Sequence, residues 1–198
     1  MKPILFTPPR PYIPVRAFHN PHLQTIWGGL APRPERLNWK ATPVETEDGD
    51  VIGVYLTPGQ PNAPLVFFVH GLEGSISAPM IRGVGTALGR LGWRVGALAL
   101  RGCAIPNRKP RAYCAADSPD VQAALAYCCR EAQPRSVHTV GLSLGGNILA
   151  HWLIHHAAEG KSPDIPLRSA ALIGSPHHLA TSVVFTEEAL YGFYQWNL

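Results

Sequence analysis

Residues 136–147 read Ser136-Val137-His138-Thr139-Val140-Gly141-Leu142-Ser143-Leu144-Gly145-Gly146-Asn147, and this stretch decides the fold. Ser136 to Val140 reads as a strand, and a helix follows from Leu144 to about Ala157. Between them stands the pattern Gly141-x-Ser143-x-Gly145. Its mechanics explain the spacing: a serine on a strained strand-to-helix turn needs neighbours without side chains two residues to either side. Such a turn presents the Ser143 hydroxyl at the carboxyl end of the sheet, where open α/β folds bind ligands. Without the flanking strand and helix, the same glycines would read as a turn whose serine merely starts a helix. Gly146 and Asn147 invite a phosphate-loop reading, but the Lys-Ser/Thr ending that reading needs is missing.

Working outward, Leu65-Val66-Phe67-Phe68-Val69 is a continuous apolar run, the signature of a central strand covered on both faces. A helix is expected from Ser77 or Ala78 to Arg90, with Pro79 in its first turn where the missing N–H does no harm. Arg94 to Leu100 reads as a strand. A long loop then leads to Ser118 as N-cap, with Pro119 at N1 and Asp120 placed to meet the helix dipole; that helix should run to about Glu131. A further strand is expected at Ser169 to Ile173. Strands alternating with helices mean right-handed crossovers and a mostly parallel, doubly wound sheet, so the fold class is α/β. Ahead of this core, Thr42 to Glu47 and Val51 to Leu56, joined by Asp48-Gly49-Asp50, read as a β-hairpin. Twelve of the 20 prolines precede residue 65, so the first third is expected to wrap the molecule and the regular core to begin near Leu65.

The chain has 198 residues, 46% hydrophobic and 15% charged, which argues for one domain and excludes a disordered chain. The net charge is +4. The densest basic cluster, Arg101, Arg108, Lys109 and Arg111, is broken by Pro106 and Pro110 and lacks the interleaved aromatics of a nucleic-acid groove; it reads as a solvated loop and no nucleic-acid partner is expected. Cys103, Cys114, Cys128 and Cys129 show no C-x-x-C spacing, which points to reduced thiols and a cytoplasmic location. No signal peptide or transmembrane run is legible.

A serine nucleophile needs donors for a tetrahedral oxyanion. One is expected from the Leu144 N–H and the other from the loop His70-Gly71-Leu72-Glu73-Gly74, through the Leu72 N–H. Gly71 and Gly74 let that backbone curl toward a substrate, with Glu73 beside them. His70 reads better as a satisfied histidine at a strand end than as a catalytic group. His151 and His155, one helical turn apart, lack the Glu of H-E-x-x-H and are not read as a metal pair.

Four motifs together, HGLEGS at 70–75, RGCAIPNRKPRAY at 101–113, GLSLGGN at 141–147 and NPHLQTIWGG at 20–29, resemble the YheT-like branch of the α/β-hydrolases, carboxylesterases and lipases. The resemblance implies a Ser/Asp/His relay, no metal or cofactor, and small-molecule or lipid ester substrates of short to medium acyl chain. It implies Ser143 as nucleophile, Leu72 and Leu144 as oxyanion donors, and Gly71, Glu73 and Gly74 as substrate-binding positions. Two departures stand at the rim: a shorter loop after Arg101, and Cys114 in place of a histidine.

Only 55 residues follow Ser143, too few for the later strands that carry the acid and the histidine at roughly 30 residues per βαβ unit. His177 and His178 stand on the correct edge of the sheet, but Glu159, Asp164, Glu187 and Glu188 show no spacing that would orient them. The domain is therefore expected to be cut short: an irregular wrap at 1–41, a sheet core at 42–178, and the start of a helical cap at 179–198. An exposed sheet edge and the crowd of Phe185, Tyr191, Phe193, Tyr194 and Trp196 would then favour self-association. A rival reading is a non-catalytic α/β module that binds a partner chain through those features.

Overall fold

The computed structural model describes residues 13–30, 35–158, 165–176 and 178–188. The chain divides into two compact units, Met1–Arg33 and Pro34–Leu198. In the first, a 3₁₀ turn Arg16–Phe18 precedes helix α1, Pro21–Leu30. The Asn20 carboxamide oxygen accepts the His22 N–H at 2.8 Å in the manner of a helix cap, and the Phe18 and Trp27 rings meet at 5.7 Å. A regular helix thus interrupts the stretch expected to be irregular.

The second unit is built on six strands: β1 Lys40–Glu45, β2 Val51–Leu56, β3 Leu65–Val69, β4 Arg94–Ala99, β5 Val137–Leu142 and β6 Leu167–Ile173. Helices α2 Pro79–Arg90, α3 Ser118–Ala132, α4 Leu144–Ala158 and α5 Leu179–Glu188 alternate with the later strands. The sheet order is β1-β2-β4-β3-β5-β6. The β1–β2 hairpin is antiparallel and β2 runs antiparallel to β4, whereas β4, β3, β5 and β6 are mutually parallel.

β3 is central and buried at every position, as its unbroken apolar run requires. Its period-two alternation splits it between two cores. Leu65, Phe67 and Val69 join Val121, Leu125, Ile148 and Trp152 from α3 and α4, while Val66 and Phe68 pack with Ile81 of α2 and with Val95 and Ala97. The indole N–H of Trp152 donates to Gln122 Oε1 at 2.9 Å, which satisfies the polar atom of that large buried side chain.

Two boundaries differ from the sequence reading. The core begins at Val51, because β2 lies between β1 and β4 and is buried at five of its six positions. The prolines had suggested a peripheral segment, yet β2 contains none, and Pro43 lies on edge strand β1, where a missing N–H is tolerated. The N-cap of α3 is Asp117 in place of Ser118, and its carboxylate is engaged by Arg111 and by the Cys114 N–H.

Among the described residues β6 pairs with β5 alone, and it is exposed from Arg168 to Ile173. Tyr191, Phe193, Tyr194 and Trp196 lie outside the described residues. Among the described residues, no helix is long and apolar enough to cross a membrane.

Candidate active site

Ser143 stands between β5 and α4 with φ +51°, a left-handed conformation that a serine adopts only at a cost of about 1 kcal/mol or more. Two hydrogen bonds hold it there: its N–H donates to Ile173 O at 2.8 Å, and its carbonyl accepts the Gly146 N–H at 2.9 Å. The glycines around it are sterically required. A Cβ on Gly141 would sit 2.5 Å from Gly146 Cα, and one on Gly145 would sit 2.3 Å from both the Val69 and His70 carbonyl oxygens. A Cβ on Gly146 would fall 1.8 Å from Ser175 Oγ, the end of a side chain and not main chain. The side chain of Ser143 is exposed at the carboxyl end of the sheet.

The loop after β3 lies against this turn. A Cβ on Gly71 would be 2.9 Å from Ser143 Cβ and 3.5 Å from Ser143 Oγ, so only glycine lets the backbone pass the serine this closely. The peptide that joins Gly71 to Leu72 is held from its carbonyl end. Gly71 O accepts the Gly74 N–H at 3.0 Å and lies 2.8 Å from His70 Nδ1. His70 is buried, and its Nε2 accepts the Leu100 N–H at 3.1 Å. That acceptor role puts the single proton of a neutral imidazole on Nδ1, where it donates to Gly71 O. Burial lowers the His70 pKa and so favours the neutral form. Because the peptide is planar and trans, fixing the Gly71 carbonyl fixes the Leu72 N–H in the opposite direction. His70 is thus a satisfied strand-end histidine, as the sequence indicated, and it also sets the orientation of the Leu72 amide.

Leu72, the residue after Gly71, is half exposed, and Gly74 is confined by Gly71 O and His70 Nδ1. Glu73 is exposed and has φ +49°; both its N–H and its carboxylate meet the Tyr113 hydroxyl. An open cleft of about 620 Å³ flanks this loop, lined by Glu73, Cys103, Lys109, Arg111 and Tyr113 among others.

Of the basic cluster, Arg108, Lys109 and Arg111 are exposed as expected of a solvated loop, and Arg101 is the exception. Arg101 is buried and spans three carboxylates. Its Nε and Nη2 donate to the two oxygens of Asp120 at 2.7 Å each, Nη1 donates to Asp50 Oδ2 at 2.9 Å, and Nη2 donates to Asp48 Oδ1 at 3.2 Å. Asp50 Oδ1 also accepts the Val51 and Arg108 N–H groups, both at 2.8 Å. Arg111 joins Asp48 to Asp117, and Arg108 reaches Glu45. One guanidinium therefore ties the hairpin turn, the end of β4 and the start of α3 together beneath the 101–117 loop.

The His151 and His155 rings meet at a tilt with centroids 4.4 Å apart, and His151 Nδ1 lies 3.4 Å from Ser118 Oγ. His178 Nδ1 accepts the Thr181 N–H at 3.2 Å and so caps the start of α5. His177, Glu159 and Asp164 lie outside the described residues. All four cysteines are free thiols; burial pushes Cys129 up to about 11 and raises Cys103 and Cys128 as well, so these three stay protonated and unreactive near neutral pH.

The chain belongs to the α/β-hydrolase family: the profile of the alpha/beta hydrolase fold matches residues 64–196, a span that opens just before β3 and includes both the loop and the serine turn. Within it, the chain is similar to the Escherichia coli K12 protein named "Putative esterase YheT", at 34% identity over 93% of this chain. It is also 32% identical, over 61% of its length, to the medium-chain fatty acid ethyl ester synthase/esterase 2 of Saccharomyces cerevisiae. It spans 54% of the length of the first protein and 26% of the second. Among solved structures, the Pyrococcus furiosus esterase Pf2001 superposes with a TM-score of 0.64 at 16% identity, over 83% of this chain and 64% of that one, a likeness of fold.

Proposed function

We propose that the protein is a serine carboxylic-ester hydrolase in which Ser143 is the nucleophile. The observation that carries this reading is the left-handed Ser143, exposed at the carboxyl end of the sheet with the Gly71 backbone packed against it. In the reaction, Ser143 Oγ adds to the ester carbonyl carbon as its proton passes to a general base. The carbonyl electrons move onto oxygen, which the Leu72 and Leu144 N–H groups receive. Collapse expels the alcohol, protonated by the same base, and water then releases the acid from the acyl-enzyme. Gly71, Glu73 and Gly74 shape the entry to this hole, and the half-exposed Leu72 offers apolar surface to an acyl chain. Short to medium acyl esters are the substrates assigned here, a choice supported by the medium-chain esters in the name of the yeast relative.

The base and its carboxylate partner are assigned to protein outside residues 1–198, of which the Escherichia coli relative has nearly as many again. The oxyanion hole alone leaves roughly 10³ to 10⁴ of catalysis over water, so the 198-residue chain by itself should be weakly active. The test is fluorophosphonate labelling and hydrolysis of short p-nitrophenyl esters, in this chain and in the longer protein. Strong labelling is expected in the longer protein and none in its Ser143→Ala variant. Labelling that survives Ser143→Ala assigns the nucleophile elsewhere. A longer protein that is neither labelled nor active, but dimerises, would favour the partner-binding reading, for which the exposed β6 edge is the supporting feature.

A further inference from the structure

The left-handed backbone of Glu73 is held from a residue forty positions away. The Glu73 N–H donates to the Tyr113 hydroxyl oxygen at 3.0 Å, and the Tyr113 O–H donates to Glu73 Oε1 at 3.1 Å. One hydroxyl thus fixes the main chain and the side chain of the same residue, and a rotation of the loop at Glu73 breaks both bonds. Desolvation raises the Tyr113 pKa, which keeps the O–H available as a donor to the carboxylate.

Tyr113 is itself bracketed. The Asp117 carboxylate takes the Arg111 guanidinium with one oxygen and the Cys114 N–H with the other, gripping the chain two residues before the tyrosine and one residue after it. Arg111 reaches on to Asp48, which also meets the buried Arg101. The position of the hydroxyl is therefore set by the charge network.

Leu72 lies between two anchors. On one side His70 and Gly74 hold the Gly71 carbonyl; on the other Tyr113 holds Glu73. We infer that Tyr113 is a positioning residue for the oxyanion loop: its hydroxyl clamps Glu73 and thereby keeps the Leu72 N–H aimed at the developing oxyanion without touching the substrate. The inference rests on Leu72 as an oxyanion donor.

Tyr113→Phe removes the hydroxyl and keeps the ring. In the longer protein it should speed amide hydrogen exchange at Glu73 and Leu72 about tenfold, and lower kcat on p-nitrophenyl esters about fivefold to tenfold with KM unchanged. The maximum rate of fluorophosphonate inactivation should fall by the same factor, and the thermal midpoint should hold. Glu73→Gln keeps the N–H half of the clamp with an uncharged acceptor, so its losses should be in the same direction and smaller. Unchanged exchange at both amides in Tyr113→Phe overturns the clamp. Faster exchange with an unchanged turnover and inactivation rate overturns the positioning role. A parent protein that is not labelled at Ser143 overturns the oxyanion assignment and the positioning role with it, while the exchange rates still decide the clamp.

Discussion

Gly145→Ala is expected to destabilise the protein by about 3 kcal/mol and to push the oxyanion loop away from Ser143 in the molecules that still fold. The added methyl would lie 2.3 Å from the carbonyl oxygens of both Val69 and His70. Overpacking a tight site costs roughly 1–3 kcal/mol when side chains can yield, and occasionally more. Here both obstacles are main-chain atoms at the end of the central strand, so the cost belongs at the top of that range. Against it stands the better helix propensity of alanine, at most about 1 kcal/mol and less in a first turn. Relief can come only by moving the end of β3, and the loop that starts there carries Gly71 and Leu72. The thermal midpoint should therefore fall by about 10 °C, and labelling of Ser143 should fall further than stability alone explains. Gly146→Ala is the internal control: its methyl meets Ser175 Oγ at 1.8 Å, the far end of a side chain that can turn aside, so its cost should be nearer 1 kcal/mol. A Gly145→Ala protein that melts within about 1 °C of the parent would show that β3 and α4 are not packed this closely.

The parts legible in the sequence are those whose cause is local. The run Leu65–Val69 is buried because nothing in it can face water, and Pro79 starts α2 because a first-turn N–H has no helical acceptor, so a residue without one loses nothing there. The serine turn was legible because its two required glycines are fixed by contacts within five residues of the nucleophile and with the neighbouring strand. Other features depend on partners far along the chain. β2 looks like one arm of a peripheral hairpin, and only its pairing with β4, more than forty residues later, makes it interior. Asp48 and Asp50 read as turn formers and Asp120 as a helix-dipole acid; each assignment is sound locally, and none shows that all three converge on Arg101. The tightness at Gly146 and the Tyr113 contact with Glu73 are hidden for the same reason. A useful signal was present all the same: an arginine that directly follows a buried strand cannot be assumed to face solvent.

Arg101→Met should lower stability by about 3 kcal/mol at neutral pH, more than loss of an exposed basic residue could explain. The methionine fills the volume but leaves the Asp120 carboxylate buried without the bidentate partner that now meets it at 2.7 Å. Asp120 already feels that burial: desolvation raises its pKa, and the guanidinium opposes the rise. A carboxylate whose folded pKa lies above its unfolded one contributes stability below the unfolded value and loses it as the pH rises through the folded value. Without Arg101 the rise is unopposed, so the variant should regain stability as the solution is acidified from about pH 7 to about pH 5. The parent protein should behave otherwise. Asp48, chiefly through the Thr46 hydroxyl, and Asp50, chiefly through the Arg108 N–H, ionise below the ordinary carboxylate value of 3.8. Groups shifted in that direction stabilise the fold above the unfolded value and lose their contribution as the pH falls. Its acid limb should therefore lie below pH 3.8, and its gain through Asp120 on mild acidification, which Arg101 opposes, should be smaller than the variant's. Urea unfolding of both proteins at the two pH values measures the difference directly. A gap between them that stays constant with pH would mean that Asp120 is not held ionised by Arg101, and that the arginine stabilises the 101–117 loop by packing alone.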